Sequence, residues 1–432
     1  MLLAVFLASG AFAQSADRGN TAGEGEWPGW RGLLRDGIWR ETGILRKFPP
    51  GGPKVLWRAP ISPGYAGPSV AGGRVFCMDR LREKETERVL AWDAATGKLL
   101  WSDEYPARYK GVDYDSGPRA TPLVVEGRVH TLGTMGDLRT LDAATGKVLW
   151  ARDLKKDYGA QVPGWGIAAA PWAEGKLLIS CIGGGKGPAL GAFDRESGAE
   201  AWRALEEPPA YSALTVIEAG LTRQLIYWST HSVSSLDPLT GKLHWRQEHR
   251  SRFGLAVATP ALHKDILFVS AFYDGALALR LDPSKPAAKV LYRSSLKSEM
   301  ETDFVHCLMS SPAFLGDHLY AVDSYGELRC LEVETGKRIW ETLAATGKAR
   351  WSNAHIIPNG DVMFLFNEHG ELIIADLSPA GYREIDRAKI LEPTAGVKGL
   401  RPVAWSHPAF AGRSLFARNA QEISRVSMTA EH

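Results

Sequence analysis

The sequence is short of the features that mark membrane-spanning, nucleic-acid-binding and low-complexity proteins. No apolar run approaches the roughly 20 residues that a membrane-spanning helix needs. Lys and Arg total 51 against 49 Asp and Glu, and the net charge of +2 is spread evenly without a basic stripe. This balance argues against a nucleic-acid partner. With 45 Gly and 25 Pro in 432 residues and no low-complexity tract, the composition is that of a folded globular protein.

Common catalytic and metal-binding motifs are missing as well. The 11 histidines include no H-x-x-x-H pair on a predicted helix, so we assign no zinc site. Residues 183–187 resemble a phosphate-binding loop only in composition, because the spacing, the Ser/Thr and the following helix are absent. No serine nucleophile elbow is present. The four cysteines are scattered, and no two of them are adjacent.

What the sequence does contain is a repeated phrase of an acidic residue, a Thr/Ser-Gly turn and a Trp. Its clearest copy runs from Asp93 to Trp101. Further copies, two of which have Tyr or Ile in place of Trp, start at Asp142, Asp194, Asp237, Asp282, Glu332 and Asp376. Each copy reads as two strands joined by a tight turn, in which the acidic side chain accepts backbone N–H groups. Because the anchors are 43 to 52 residues apart, the period indicates an array of β-sheets.

A second repeat precedes each hairpin, with an Ala/Ser/Thr-Pro step, an apolar strand, a Gly turn and another apolar strand. Together the two repeats make a four-stranded antiparallel unit, strands A to D, of about 45 residues. Seven units are complete, and an eighth from Val403 has strands A, B and C only. Its missing D strand is available at residues 54–58. We therefore predict an all-β, eight-bladed β-propeller of four-stranded antiparallel blades, closed by an N-terminal strand, with seven blades as the alternative.

The first residues are typical of a targeting segment. An apolar stretch over residues 2–10 is followed by Ala11-Phe12-Ala13, an A-x-A cleavage signal, although no Lys or Arg precedes the apolar core. We expect a signal peptide over residues 1–13 with cleavage after Ala13. A lead-in segment over residues 14–53 and a single β-propeller domain over residues 54–428 would follow. The expected location is the periplasm or the cell exterior, with no transmembrane segment after signal removal.

The clearest repeat, Ala-Trp-Asp-Ala-Ala-Thr-Gly-Lys-Leu-Leu-Trp at residues 91–101, resembles the tryptophan-docking repeat of quinoprotein (pyrroloquinoline quinone-dependent) alcohol dehydrogenases. The same repeat occurs in the propeller lipoprotein of the outer-membrane β-barrel assembly machinery. Trp-Pro-Gly-Trp-Arg-Gly at residues 27–32, followed by Arg-Asp-Gly at 35–37, is similar to the lead-in of exported quinoprotein-like propellers. The resemblance implies the fold more than the activity, since catalytic and non-catalytic members share these motifs. No Cys follows the predicted cleavage site, which departs from the lipoprotein.

The long B–C and D–A connections of such blades lie on one face, and variable loops on a rigid scaffold are where binding usually occurs. Residues just ahead of each strand A would circle the mouth of the central channel on that face. Phe253 and His306 are in this ring. The candidate cofactor- or ligand-binding residues of the ring are Tyr65, Arg119, Trp165, Tyr211, Trp351, Trp405 and His407. They could stack a flat, anionic quinone or sugar rings, or they could plug the channel and cap the core.

Resemblance to the dehydrogenases implies pyrroloquinoline quinone (PQQ), a Ca²⁺ ion bound by carboxylate and amide oxygens, a carboxylate base and often a disulfide between adjacent cysteines. Candidate metal ligands on the long-loop face are Asp113, Asp115, Glu301 and Asp303. Loops as polar as these are more often simply solvated. We expect free, buried thiols in separate predicted strands for the four cysteines, which are Cys77, Cys181, Cys307 and Cys330. An even number of cysteines in an exported protein also permits disulfides, and their spacing gives no connectivity.

Two functional hypotheses from different classes follow. The first is an exported, non-catalytic propeller that binds an envelope protein or a polysaccharide through the long-loop face. The second is a PQQ- and Ca²⁺-dependent alcohol dehydrogenase, which the docking repeat and the aromatic ring with Arg119 favour. The lack of adjacent cysteines and of a decisive catalytic constellation favours the first hypothesis, and we assign no catalytic residue.

Overall fold

The computed structural model describes residues 25–185, 187–396 and 401–430, so the predicted signal peptide lies outside the described residues. The described chain forms eight four-stranded antiparallel sheets and one two-stranded hairpin. The sheets follow one another around a central channel. The protein is therefore an all-β, eight-bladed β-propeller, as the repeat predicts.

The strands are numbered in chain order, and β1 (Val55–Pro60) precedes the first complete blade. Blade 1 contains β2 (Ser69–Ala71), β3 (Arg74–Leu81), β4 (Thr86–Asp93) and β5 (Leu99–Pro106), and blade 2 contains β6 (Leu123–Val125), β7 (Arg128–Leu132), β8 (Asp137–Asp142) and β9 (Val148–Asp153). Blade 3 contains β10 (Trp172–Glu174), β11 (Leu177–Cys181), β12 (Leu190–Asp194) and β13 (Glu200–Ala204). Blade 4 contains β14 (Thr215–Ala219), β15 (Thr222–Trp228), β16 (Ser232–Leu236) and β17 (Leu243–Glu248).

Blades 5 to 7 contain β18 (Ala261–His263), β19 (Ile266–Ala271), β20 (Gly275–Leu281) and β21 (Ala288–Arg293); β22 (Ala313–Leu315), β23 (His318–Val322), β24 (Leu328–Glu332) and β25 (Arg338–Thr342); and β26 (Ala354–Asn359), β27 (Val362–Asn367), β28 (Glu371–Ser378) and β29 (Gly381–Lys389). The remaining strands are the hairpin β30 (Ala395–Gly396) and β31 (Pro402–Val403), and then β32 (Ala409–Ala411), β33 (Ser414–Arg418) and β34 (Glu422–Ser427). The helical elements are α1 (Leu154–Tyr158) and 3₁₀ turns at Arg82–Lys84 and Arg252–Gly254. Within the described ranges, none of these elements has the length or the apolar composition of a bilayer-crossing helix.

Blade 8 is assembled from strands at the two ends of the propeller. Its sheet has the order β1-β34-β33-β32, so β1 supplies the D strand that the C-terminal unit lacks. β1 pairs antiparallel with β34, which places Trp57 opposite Arg425 and Ala59 opposite Ile423. The predicted closure by an N-terminal strand is thereby confirmed. Closure also pairs sheet edges that would otherwise be open to other chains.

Each repeat turn is held by its acidic anchor. In the first turn, Asp93 Oδ1 accepts hydrogen bonds from the Thr96 hydroxyl (2.8 Å), the Thr96 N–H (2.8 Å) and the Ala95 N–H (3.1 Å). The bonds from Thr96 lower the pKa of Asp93. Gly97 completes the turn with a φ of +73°, a conformation that costs a residue with a Cβ about 1–2 kcal/mol.

The Trp of one blade packs against the turn glycine of the next blade. Trp57 of β1 lies on Gly97 of blade 1, and its indole Nε1 donates to the Ala94 carbonyl at 2.9 Å. Trp101 makes the same contact one blade further on and donates to the Ala143 carbonyl at 3.1 Å. A Cβ on Gly97 would lie 2.6 Å from Cδ2 of Trp57. The glycine is therefore required for the close approach of the indole as well as for the turn.

Where the repeat is degenerate, a different contact is made. Tyr292, which replaces Trp in blade 5, donates its hydroxyl to the Val333 carbonyl of blade 6 at 2.9 Å. Trp245 precedes the degenerate turn at Asp282 and donates instead to Gln224 of its own blade at 2.8 Å. The Tyr292 hydroxyl therefore replaces the indole N–H between blades 5 and 6, whereas the indole of Trp245 is hydrogen bonded within blade 4.

The lead-in segment closes the channel at the end where the short A–B turns lie. Trp27 pairs with Val70 of blade 1, and the Trp39 N–H donates to the Pro358 carbonyl of blade 7. Contacts to the other six blades are Pro28 with Val124, Arg35 with Ala170 and with Leu214, Trp30 with Thr259, Arg31 with Pro312, and Trp39 with Phe410. One short stretch of chain therefore contacts all eight blades.

Two arginines in this plug bind backbone carbonyls deep in the channel. Arg31 and Arg35 are each 4% exposed. Burial lowers the pKa of Arg35 to about 9 and that of Arg31 to about 10, with Asp36 opposing the shift on Arg31. The carbonyls ahead of the inner strands have no neighbouring strand to pair with on the channel side. The two guanidinium groups supply the donors that these buried carbonyls need.

All four cysteines are free and buried, as expected. Burial raises the pKa of both Cys181 and Cys307 to about 12. The prediction that each lies in a strand is wrong for Cys307, which lies in the loop ahead of β22.

Candidate functional site: an aromatic cavity on the propeller axis

The residues that precede the inner strands meet at one cavity of about 150 Å³ on the long-loop face. The seven candidate ligand-binding residues all line it, and they are Tyr65, Arg119, Trp165, Tyr211, Trp351, Trp405 and His407. These side chains come from the segments ahead of blades 1, 2, 3, 4, 7 and 8. Val257, Leu308 and Met309 complete the wall ahead of blades 5 and 6. Because every blade contributes, the cavity lies on the axis of the propeller.

The wall of the cavity is an interlocked set of aromatic rings. Trp165 lies tilted against Tyr211 with 5.4 Å between ring centroids, and its edge meets Trp351 at 6.2 Å. Tyr114 contacts both Trp165 and Trp351 edge-on at 5.6 Å. Tilted and edge-to-face contacts stabilise aromatic pairs beyond their buried area. The rings therefore hold one another in position without a ligand.

The lead-in segment supplies the floor of the cavity. Trp30 lines it while its indole Nε1 donates to Thr259 Oγ1 at 2.8 Å, and its ring lies 5.1 Å from that of His407. His407 in turn lies 4.6 Å from His355. Burial lowers the pKa of His355 to about 4 and that of His407 well below its usual range. Both imidazoles are therefore neutral at physiological pH.

Arg119 is the one cationic side chain among the described residues that line the cavity. Its Nη2 donates to the backbone carbonyls of Asp113 (3.0 Å) and Tyr114 (2.7 Å), and its Nη1 donates to that of Gly117. The guanidinium also lies 5.3 Å from the centroid of the Tyr65 ring, a cation–π contact. Because carbonyls engage both terminal nitrogens, Arg119 fastens the loop of residues 113–117 to the cavity wall.

Two lining residues carry buried polar atoms without a hydrogen-bond partner in the described chain, namely Nε1 of Trp351 and Oγ1 of Thr121. An unsatisfied buried donor or acceptor costs about 1–3 kcal/mol. The backbone of Trp351 also has a φ of +65°, which a bulky residue adopts only where its surroundings impose it. Backbone strain of this kind occurs preferentially at functional sites.

The first pair of predicted metal ligands is engaged by arginines. Asp115 pairs with Arg82 at 2.7 Å and with Arg80 at 3.4 Å. Asp113 accepts from Arg119 through its backbone carbonyl. The Asp115 carboxylate is therefore paired with arginines, and Asp113 anchors Arg119 through its backbone.

The second pair lies on a different loop, ahead of blade 6. Asp303 accepts from the Ser295 N–H at 2.7 Å and lies 3.1 Å from Nε2 of His306. Glu301 donates its N–H to Ser298 Oγ at 3.0 Å. Within the part of the chain that the structure describes, no three His, Cys, Asp or Glu side chains are grouped as they would be around a metal ion.

A PQQ–Ca²⁺ site requires convergent carboxylate and amide oxygens and a carboxylate base. None of the described side chains that line the cavity is Asp, Glu, Asn or Gln. Arg119, which the sequence suggested as the partner of an anionic quinone, has its terminal nitrogens engaged by carbonyls. The residues present therefore do not fit this cofactor.

Two members of the ring inferred from the sequence lie outside the cavity. Phe253 is 76% exposed and lies edge-on to Tyr273, and His306 is fully buried. Sequence reasoning missed Trp30, Tyr114 and His355, which all line the cavity. Trp30 belongs to the Trp-Pro-Gly-Trp motif, which could have been used to predict its position. Two Trp side chains so close together in a lead-in segment are expected to be buried against the propeller.

The comparisons with known proteins agree with this architecture. A family model described as outer membrane protein assembly factor BamB matches residues 41–190, 133–221, 186–349 and 229–431. The chain belongs to this family. Membership confirms the resemblance seen in the docking repeat. A search of the curated proteins found no match.

Solved structures of other proteins share the fold of this BamB-family chain. BamB from Moraxella catarrhalis is 16% identical with a TM-score of 0.57, over 87% of this chain and 99% of that one. Quinohemoprotein alcohol dehydrogenase from Comamonas testosteroni is 13% identical with a TM-score of 0.69, over 95% and 82% of the two chains. A europium-containing methanol dehydrogenase is 14% identical with a TM-score of 0.67, over 91% and 90%. Likeness at this level of identity concerns the fold alone.

Proposed function

We propose that the protein is an exported, non-catalytic propeller that binds a glycan of the cell envelope in its axial cavity. The observation that carries the proposal is the chemistry of the wall, which combines interlocked aromatic rings with neutral imidazoles and with an arginine already engaged by carbonyls. Aromatic faces pack against the C–H faces of sugar rings, and a few polar groups at their edges fix the orientation of the ligand. A neutral ring therefore suits this cavity better than an anion or a metal complex.

The envelope location rests on sequence and family. Residues 1–13 have the pattern of a signal peptide, and the description of the family names an outer membrane assembly factor. Export would place the long-loop face where polysaccharides and envelope proteins are both available.

An envelope protein is the other partner expected from the sequence for the long-loop face. A cavity of about 150 Å³ can accept a protruding side chain, but its ring-lined wall is more specific for a flat ligand. The dehydrogenase hypothesis has less support, because no carboxylate base lines the described wall.

The test is a binding measurement with the purified protein, using glucose, N-acetylglucosamine, and PQQ with and without Ca²⁺ as separate probes. We expect a saccharide to bind, and Trp165→Ala to weaken its affinity about tenfold or more. The matched control is Leu221→Ala, which removes an exposed side chain from a short turn on the opposite face. Saturable, Ca²⁺-dependent PQQ binding that is lost in Arg119→Ala would instead establish a quinoprotein and justify a screen of alcohols with a dye acceptor. If glucose, N-acetylglucosamine and PQQ all fail to bind, the glycan proposal is refuted and a protein partner is favoured.

A further inference from the structure

A path of aromatic rings leads out of the cavity along blade 5. The ring of Trp351 lies 6.5 Å from that of Phe272, which lies 4.9 Å from Tyr273. Tyr273 in turn meets Phe253 at 5.6 Å. Phe272 is fully buried, Tyr273 is half-buried and Phe253 is 76% exposed. The path therefore rises from the cavity wall to an exposed platform, which we define as Tyr273 and Phe253.

The exposed end of this path is held in place rather than left to swing. Phe253 has a φ of +57° within the 3₁₀ turn Arg252–Gly254. The backbone N–H of Arg252 donates to Asp274 Oδ2 at 2.6 Å, which fixes the turn beside Tyr273. The Arg252 guanidinium lies 5.0 Å from the Tyr273 ring. The fastened turn therefore presents the Phe253 ring to solvent beside Tyr273.

Polar groups join the platform to the cavity. The Arg350 guanidinium lies 4.6 Å from the Trp351 ring, and its Nη2 donates to Tyr273 Oη at 3.0 Å and to Glu299 Oε2 at 2.6 Å. Tyr325 donates to the other oxygen of Glu299 at 3.1 Å. A guanidinium beside a carboxylate offers donors and acceptors together, which matches the hydroxyl groups along the edge of a saccharide chain.

From this continuity we infer that the ligand is an oligosaccharide or polysaccharide chain, with one ring in the cavity and a further ring on the platform. The inference rests on the proposed function and deepens it, since a single sugar would not need the platform. The charged groups around the platform are engaged, because Arg350 meets Glu299, Lys297 meets Asp274 at 3.4 Å and Arg252 donates to the Lys297 carbonyl at 3.0 Å. The ligand that suits this site is therefore a neutral saccharide chain.

The experiment measures affinity against chain length. Oligomers of glucose and of N-acetylglucosamine with one to six rings are titrated into the wild-type protein and into Phe253→Ala. Titration calorimetry follows the longer oligomers, and saturation-transfer NMR follows the single sugars. We expect the wild-type affinity to rise about tenfold or more between one ring and four. Phe253→Ala should flatten that rise and leave the affinity for a single ring unchanged.

The control is Leu221→Ala, because Leu221 is also a large apolar side chain, 89% exposed, on a turn residue with a φ of +61°. It lies on the short-turn face, so its length dependence should match the wild type. Glu299→Gln gives a second measurement at the junction and should weaken only oligomers of two rings or more. A wild-type affinity independent of length, or a length dependence that survives in Phe253→Ala, would overturn the inference while single-sugar binding in the cavity stands. Failure of every saccharide to bind would overturn the cavity proposal and the platform together.

Discussion

Substitution of Gly97, the turn glycine that contacts Trp57 of β1, by alanine tests how the ring is held together. In Gly97→Ala the new Cβ would lie 2.6 Å from Cδ2 and 2.8 Å from Cε3 of Trp57. The indole cannot simply retreat, since Trp57 is 8% exposed and its Nε1 is hydrogen bonded to the Ala94 carbonyl. The substitution therefore displaces the residue that joins β1 to blade 1.

The magnitude follows from two separate costs. An alanine at a φ of +73° costs about 1–2 kcal/mol in backbone strain. Overpacking against the indole and loss of its hydrogen bond add about 1–3 kcal/mol. Gly127→Ala isolates the first cost, because Gly127 has a φ of +70° and its Cβ would meet nothing within 4 Å. We therefore expect a loss of about 2–5 kcal/mol in Gly97→Ala and of about 1–2 kcal/mol in Gly127→Ala.

Urea denaturation followed by far-UV circular dichroism and by Trp fluorescence measures both variants against the wild type. Midpoints and melting temperatures are compared, because a ring of eight repeats can unfold in more than one step. Equal losses in the two variants would refute the view that the docked indole, and not the turn alone, requires glycine. Gly146→Ala repeats the experiment inside the ring, where the new Cβ would meet Trp101 at the same 2.6 Å distance.

Three further predictions concern other parts of the molecule. Arg119→Ala should free the loop of residues 113–117 from its carbonyl contacts and lower the melting temperature by several degrees, as thermal denaturation would show. Burial and the neighbouring Glu87 raise the pKa of Asp137 to about 6, so the folded protein holds this proton more tightly than the unfolded chain. The stability that this provides is complete below about pH 4 and is lost as the pH rises to about 6; Asp137→Asn should raise the free energy of unfolding at pH 7.5 by about 1–2 kcal/mol and flatten its change between pH 4 and pH 7. The thiols of Cys181 and Cys307 should resist iodoacetamide in the native protein and react after denaturation, as mass spectrometry would detect.

The parts of the fold that could be predicted from the sequence are those that repeat. The Asp-x-x-Thr-Gly-Lys turn combines local hydrogen bonds, a left-handed glycine and a docked Trp. Each copy therefore predicts its own hairpin, and the spacing of the copies predicts the ring of blades. The cavity residues were found for a related reason. Residues such as Trp165 and Trp351 share one position relative to the inner strand of their blades, and radial symmetry brings that position to the axis.

What could not be predicted lies where the periodicity ends. The course of residues 25–39 across all eight blades depends on single hydrogen bonds to carbonyls far away in the sequence, as with Arg35 and Leu214. The position of Phe253 in the sequence, ahead of the inner strand of blade 5, corresponds to that of the cavity residues. Its left-handed backbone, however, turns its side chain out to solvent. The carboxylates of the long loops were predicted to form metal sites only because they are close together in the sequence. In space, Asp115 meets arginines and Asp303 meets a histidine.

The shared sheet of β1 and β34 makes completion of the fold depend on the order of synthesis. β1 ends at Pro60 and its partner begins at Glu422, so β1 stays unpaired in the nascent chain until β34 has been synthesised. An unpaired strand is a template for wrong pairing, and Val55 and Leu56 of β1 remain about two-fifths exposed even in the closed ring. Messages truncated within blade 8 should therefore yield open, aggregation-prone rings rather than smaller working propellers.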